Sequence, residues 1–422
     1  MAPRFAFPLN YGISFLFLLV LFAPTFSTII GNGAFDAYDF TKTEKKDPAV
    51  LPNLAAVNAE NIAGYIINLK PVLDERLGLR TAFIELNAKI LYHLFGMSIN
   101  NDSVVKGKSG WLFRGDNSNR VFSQHSGAVP SKPWNVKRFF SRHSKESEWL
   151  ADQGVASLWV IAPDKHSIYP EYLPSWVENP NQQKSLDQLL QLNEKQDTLN
   201  IVNLIPPMID SKREYGDLLY RKTGTHWTDL GAYVGYVEIA KAVRELFPEV
   251  QPLGVDSFEV DETDQGYSLA VMMRMRYGFD DIKVKLKHDK PFSVVTAYDF
   301  SDTELWSDKD RKIRKQDEVL IVNEGAKNNL TVLVVRDSFA TNFSSLLYQT
   351  FRKTIFIPHQ KKSTKKKIPS LVKKHSPDIA IFEYVERSIY SKKRPKKRKI
   401  KSAQKKYQSA KIRIQKTELI TI

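Results

Sequence analysis

Val332-Leu-Val-Val-Arg-Asp-Ser-Phe-Ala340 is the stretch on which both the fold and the chemistry turn. Its first four residues are apolar without interruption, as a strand buried on both faces requires. The run stops at Arg336-Asp337-Ser338, and an apolar helical pattern follows from Phe339 to Phe351. A strand followed by a helix places the Ser338 hydroxyl at the carboxyl end of a central strand. That edge is where open α/β sheets keep their sites.

Working outward, the same rhythm recurs. Ala156 to Ala162 is a second apolar run, and it ends in Pro163-Asp-Lys-His-Ser-Ile-Tyr-Pro170. Asn200 to Leu204 and Lys353 to Ile357 read as shorter strands. Pro377-Asp-Ile-Ala-Ile-Phe-Glu-Tyr-Val-Glu-Arg387 reads as a last strand running into charge. Helical spacing occupies Lys137–Asp152, Ser185–Asn193 and Asp229–Phe247, the last with Thr228 or Asp229 as N-cap. Strands alternating with helices predict an α/β fold, a parallel sheet with helices on both faces. Upstream, Leu73–Met97 reads as one amphipathic helix, and Trp111-Leu-Phe113 begins a strand after the Gly107-Lys-Ser-Gly110 turn. That turn is not a phosphate-binding loop, because the glycine needed with four residues between it and the Gly-Lys pair is missing. Residues 250–318 are mixed and charged and read as an irregular insertion. The domain so defined spans 73–390.

Of the 422 residues 42% are apolar and 11% aromatic, enough for a sizeable core. There is no cysteine, which excludes disulfides and thiolate metal sites. The net charge of +15 is unevenly spread: residues 391–422 hold 13 lysines and arginines against one acid, so the body is near neutral. This basic tail has no aromatic platform or recognition fold beside it, which argues against nucleic acid. Contact with anionic lipid or acidic polysaccharide fits better, and a solvated tail without a partner is the plain alternative.

Residues 1–31 carry an uncharged apolar run. As a helix, Tyr11 to Gly31 would be about 31 Å long, the thickness of a bilayer core. Arg4 precedes it, while Asp36, Asp39, Lys42, Lys45 and Lys46 follow. The expectation is a single uncleaved N-terminal transmembrane helix, with the body of the chain exported. A cleaved signal peptide cut near Ser27 or Ala34 is the rival. Residues 32–72 then form the linker.

Ser338 needs a base, because a serine hydroxyl is a poor nucleophile near neutral pH. His226, in Thr223-Gly-Thr-His-Trp-Thr-Asp229, sits in a stiff turn just before a helix and is the best candidate among the histidines. A serine at a strand end and a histidine on a second loop form the minimal arrangement for acyl transfer. Asp337 and Asp164 are the candidates for the carboxylate that orients the imidazole, with a turn or capping role as the alternative for Asp164. Asp229 is a further carboxylate nearby, but helix capping competes for it. Arg336, Trp227, Lys165, Tyr384, Glu386 and Arg387 are candidates for contacting substrate. A strand-end ion pair is the plain alternative for the last two. No metal ligand set and no cofactor are expected.

Five blocks in this order carry a resemblance: Lys106-Gly-Lys-Ser-Gly-Trp-Leu-Phe113, Pro163–Pro170, Thr225-His-Trp227, Arg336-Asp-Ser-Phe339 and Val385-Glu-Arg387. Over residues 74–390 the chain resembles the SGNH-hydrolase-like family that includes the alginate O-acetyltransferases. The resemblance implies a flavodoxin-like sheet in which the histidine block precedes the serine block. It also implies a membrane-anchored periplasmic enzyme that moves acetyl groups onto exopolysaccharide hydroxyls. The acetyl donor would come from a membrane-bound O-acyltransferase partner or a small acyl ester. Ser338 matches the family nucleophile and His226 its base. The family's aspartate lies two residues before the histidine, where this chain has Gly224. Three outcomes stay open: a Ser–His dyad, a carboxylate from elsewhere, or a catalytically weakened polysaccharide-binding relative. An acetylesterase is a further alternative, since the same residues serve hydrolysis.

Overall fold

The computed structural model describes residues 9–30, 62–76, 79–177, 184–287, 293–308, 311–359 and 363–390. Most of the expected linker, the rival cleavage site at Ala34 and the basic tail 391–422 lie outside the described residues. The strands are, in order, β1 (Val104–Lys106), β2 (Leu112–Arg114), β3 (Ala156–Ala162), β4 (Ile201–Asn203), β5 (Ser257–Gln265), β6 (Tyr277–Lys287), β7 (Val295–Tyr298), β8 (Glu304–Asp308), β9 (Val319–Asn323), β10 (Thr331–Arg336), β11 (Lys353–Pro358) and β12 (Ile379–Val385).

An eight-stranded sheet runs in the order β4-β3-β12-β10-β11-β9-β7-β8. From β4 to β11 the neighbours are parallel. The expected parallel sheet is therefore extended by an antiparallel edge of β9, β7 and β8. The charged stretch 250–318 divides: β5 and β6 form a separate hairpin, while β7 and β8 join the main sheet. The partner that β7 requires, β9, lies outside that stretch, so the pairing is not visible locally.

The four apolar residues of β10 point alternately to two cores. Val332 and Val334 pack with Leu158, Tyr236 and Ile239 on one face. Leu333 and Val335 pack with Phe140, Leu189 and Leu371 on the other. The helix Asp229–Leu246 covers the first face, and the helices Pro133–Asp152, Ser185–Gln196 and Thr364–His375 cover the second. This double cover is why the run contains no polar residue.

Two expected helices are broken. The segment expected as Leu73–Met97 is two helices, Ile62–Arg76 and Arg80–Leu94, with Leu79 left-handed at φ 61°. Ala88 and Tyr92 rest on a satellite core with Val104, Leu112 and Leu269. The helix expected from Phe339 is a 3-10 turn, Phe339–Thr341, followed by a helix at Ser344–Thr350. The N-terminal helix Leu9–Ile30 exposes Phe15, Leu16, Phe17 and Leu19. The side chains at both of its ends lie outside the described residues. Among the described residues no helix is long and apolar enough to cross a membrane, so the expected transmembrane helix is without support there.

The topology positions the site. β3, β12 and β10 are adjacent and parallel, so their carboxyl ends share one edge. Asp164, Glu386 with Arg387, and Asp337 with Ser338 follow those ends.

Candidate active site

Asp337 builds the serine turn. Its Oδ1 accepts the Phe339 N–H at 2.8 Å and its Oδ2 the Val385 N–H at 3.0 Å. Its own N–H donates to Glu383 Oε2 at 2.8 Å. The turn is thereby stitched to β12, and the half-buried Ser338 is held at its tip. Burial opposes the Asp337 charge, but His359 and the Phe339 amide hold the carboxyl below its ordinary range. The buried Glu383 beside it is pushed well up, by burial and then by the Asp337 charge.

The histidine loop is fixed from several sides. Trp227 is fully buried and donates its indole N–H to the Phe339 carbonyl at 3.1 Å. Thr228 caps the helix Asp229–Leu246 by accepting the Gly231 N–H, while its hydroxyl donates to the Leu218 carbonyl at 2.6 Å. Any side chain at Gly231 would collide with the Leu219 carbonyl. The buried Lys165 ammonium donates to the carbonyls of Arg221, Lys222 and Gly224 at 3.0, 2.8 and 2.8 Å. Burial lowers the Lys165 pKa to about 7. Its three acceptors favour the charged form, because only an ammonium has three protons to give. The buried Asp281 accepts the Lys222 and Thr223 N–H groups at 3.1 and 2.8 Å.

These constraints bring His226 Nε2 to 2.8 Å from Ser338 Oγ, across 112 residues of sequence. The distance suits direct proton transfer. Burial and then the Arg387 charge push the imidazole down to about 4, so the ring is neutral at pH 7 and able to accept the proton. Accepting at Nε2 leaves the ring hydrogen on Nδ1. No described residue accepts from that nitrogen.

The two candidate carboxylates are engaged elsewhere. Asp337 is consumed by the serine turn. Asp164 Oδ2 accepts the Arg387 N–H at 3.0 Å, and its Oδ1 pairs with the Arg387 guanidinium. Burial opposes the Asp164 charge, but Arg387 and His125 hold the carboxyl far below its usual range. Asp229, the remaining carboxylate near the histidine, pairs with Lys312 and accepts from Asn342.

Of the residues expected to contact substrate, Arg336 is fully buried and donates to the Arg314 carbonyl at 2.6 Å. Trp227 and Lys165 serve the loop as described. Tyr384 is buried beside Trp159 and His359. Glu386 Oε2 accepts the Asp164 N–H at 3.1 Å and the Ser167 hydroxyl at 2.6 Å. These five form the scaffold beneath the site. Arg387 is different: its guanidinium lies 5.5 Å from the Phe339 ring and acts on the His226 charge. His125, Asp164 and Glu386 each offer one ligand atom within 4.8 Å of the others. The Arg387 cation already on Asp164 opposes a metal ion there. Sequence reasoning did not find Asp281 or Arg221, neither of which sits in a distinctive local pattern.

Residues 104–298 match a protein-family model described as the SGNH hydrolase-like domain of the acetyltransferase AlgX. The match includes the histidine loop and ends before Ser338. A curated relative from Pseudomonas fluorescens, probable alginate O-acetylase AlgJ, is 24% identical over 175 residues. The alignment takes in 42% of this chain and 41% of the relative, so the chain spans about two-fifths of that relative's length. Together these findings support an alginate O-acetyltransferase-like family. The solved structure of Bacillus cereus PatB1 superposes with a TM-score of 0.52 at 18% identity, covering 69% of this chain and 98% of that one. PatB1 with a sulfonyl adduct gives 0.50 at 16%, covering 68% and 98%. The two superpositions share the fold described above.

Proposed function

We propose that the chain is an O-acetyltransferase that places acetyl groups on hydroxyls of an extracytoplasmic polysaccharide, with Ser338 as nucleophile and His226 as base. The 2.8 Å contact between them carries the reading. In the first step Ser338 Oγ loses its proton to His226 Nε2 and attacks the acetyl carbonyl of a donor ester. The donor alcohol leaves with that proton. In the second step an acceptor hydroxyl gives its proton to His226 and its oxygen bonds the acetyl carbon. The bond to Ser338 Oγ then breaks, and Oγ takes the proton back. Arg387, held by Asp164 and the charge acting most strongly on His226, stabilises the negative oxygen that develops.

The donor is a small acyl ester or the product of a membrane-bound O-acyltransferase. The reading places the domain in the periplasm at the inner membrane, with the apolar segment 1–31 used for export or anchoring. The exposed phenylalanines and leucines of Leu9–Ile30 support this. A second reading, a weakened polysaccharide-binding relative, is favoured by His226 Nδ1, which has no acceptor among the described residues.

Purified protein given p-nitrophenyl acetate and a glycan acceptor separates the readings. Acetylation of Ser338 followed by acetyl-glycan is expected, with Ser338→Ala inactive yet folded by circular dichroism. Release of acetate alone would mark an esterase. Unchanged glycan binding without any acyl-enzyme would mark a binding module.

A further inference from the structure

Trp176, in the loop that follows β3, is 65% exposed, the most exposed of the seven tryptophans. Its turn is firmly held. Leu173 before it is buried, Val177 after it packs against the core, and the Val177 N–H donates to the Pro174 carbonyl at 3.0 Å. The indole rests on the buried Phe122 ring, with centres 5.4 Å apart, and Phe122 meets His166 at 6.1 Å. An indole is among the largest apolar surfaces a chain can bury, so a turn anchored at both ends that holds it in water forgoes that gain. Between this ring and the reacting pair lies the loop 116–120. Asn119 and Arg120 are successive residues in the left-handed region, at φ 53° and 57°, which asparagine tolerates and arginine does not favour. The loop is tied to the site: Asn119 Nδ2 donates to the Arg387 carbonyl and Arg387 Nε to Ser118 Oγ, each at 3.2 Å. It thus joins the guanidinium beside Phe339 to the ring beneath Trp176. β12 separates β10 from β3, so roughly 10 Å of sheet edge lies between the serine strand and the β3 side. That is wider than one sugar ring.

We propose that Trp176 is a stacking platform for a pyranose ring of the polysaccharide, more than one sugar away from the hydroxyl that receives the acetyl group. One face of a pyranose is a patch of C–H groups, and the flat apolar indole, fixed by Phe122, is complementary to it. The half-exposed Ser118 and Arg120 and the exposed Asn119 line the way from the platform to Arg387 and offer hydrogen bonds to sugar hydroxyls. The consequence is a preference for length: an acceptor that reaches from Ser338 to Trp176 is held at two places, and a disaccharide at one. This inference rests on the acyl-transfer reading for its substrate and adds a second place of contact to it.

Acceptor length is the test. Wild type, Trp176→Ala and Trp176→Phe are charged with p-nitrophenyl acetate and given short and long acceptors of two kinds: alginate disaccharide and octasaccharide, cellobiose and cellohexaose. For the kind that wild type uses, Trp176→Ala is expected to raise KM for the long acceptor by about tenfold, the order that one aromatic contact contributes, with kcat unchanged. KM for the disaccharide is expected to be the same in both proteins, and Trp176→Phe, which keeps a flat ring, to recover most of the loss. Equal KM for the long acceptor in wild type and Trp176→Ala overturns this proposal alone. So does an acetylated wild type that passes its acetyl group to none of the four. Absence of Ser338 acetylation takes down the acyl-transfer reading instead. The platform is then judged by calorimetry with the two long oligosaccharides: binding that weakens in Trp176→Ala upholds it, and binding that is absent or unchanged overturns it.

Discussion

Trp227 donates its indole N–H to the carbonyl of Phe339 at 3.1 Å, so the residue after the histidine is tied to the residue after the serine. The contact is buried, and it sets the register between two loops that neither helix nor sheet aligns.

Trp227→Phe keeps the aromatic bulk and removes that bond. The lost hydrogen bond costs about 1 kcal/mol, and the unsatisfied Phe339 carbonyl adds to it. The rate is expected to suffer more than stability, because a shift of ~1 Å at the reacting pair can cost on the order of 10²-fold. Steady-state kinetics beside thermal unfolding would show this; a variant with full activity would deny the clamp its role.

Asp164 and Arg387 make a buried ion pair at the ends of β3 and β12. Asp164→Asn leaves the guanidinium uncompensated and is expected to destabilise by roughly 3–5 kcal/mol. Removing both charges, as Asp164→Asn with Arg387→Met, is expected to recover much of that stability and none of the activity. Chemical denaturation followed by acetyl-transfer assays measures the two effects separately. Recovery of activity in the double variant would remove Arg387 from the reacting site.

Lys165 gives all three of its protons to carbonyls that precede His226. Lys165→Met is expected to loosen the 221–224 loop, with roughly 1–3 kcal/mol lost for a buried carbonyl left unpaired. Hydrogen exchange at residues 219–228 should rise while exchange in β10 stays slow. Unchanged protection of the loop would show that Asp281 suffices to hold it.

The pH dependence has a definite sign. A base with a pKa of about 4 is neutral above that value, so the transfer rate is expected to rise through about pH 4 and level off above it. The same ring has an ordinary pKa of ~6.5 when unfolded, so the unfolded chain binds its proton first as pH falls. The His226 contribution therefore weakens the fold between about pH 6.5 and 4, and is without effect above that window. His226→Gln is expected to remove that part of the acid sensitivity. A rate that climbs only through pH 6 to 7 would show that burial and Arg387 do not hold the ring neutral down to about pH 4.

Much of this was legible from the chain alone. The runs Ala156–Ala162 and Val332–Val335 announced central strands because burial on both faces removes every polar residue. The serine at the end of one such run, and a histidine just before a helix cap, marked the two residues that the fold brings to 2.8 Å of each other. Asp229–Leu246 and its Thr228 cap were also readable, since helix starts have local chemistry. The two-helix break at Leu79 was hidden because apolar spacing continues across it.

What the sequence could not decide was partnership. Asp337 and Asp164 stood at the correct edge of the sheet, yet strand order set Asp164 against Arg387, 223 residues away, and turned Asp337 onto the amides of its own turn and of β12. The same geometry folded Arg336, Trp227 and Lys165 inward, where their polar atoms serve backbone carbonyls. Local patterns record how deeply a residue is buried, because burial is a property of one face of one element. Which charge meets which is set by loops closing over long stretches of chain, and only the packed sheet determines that.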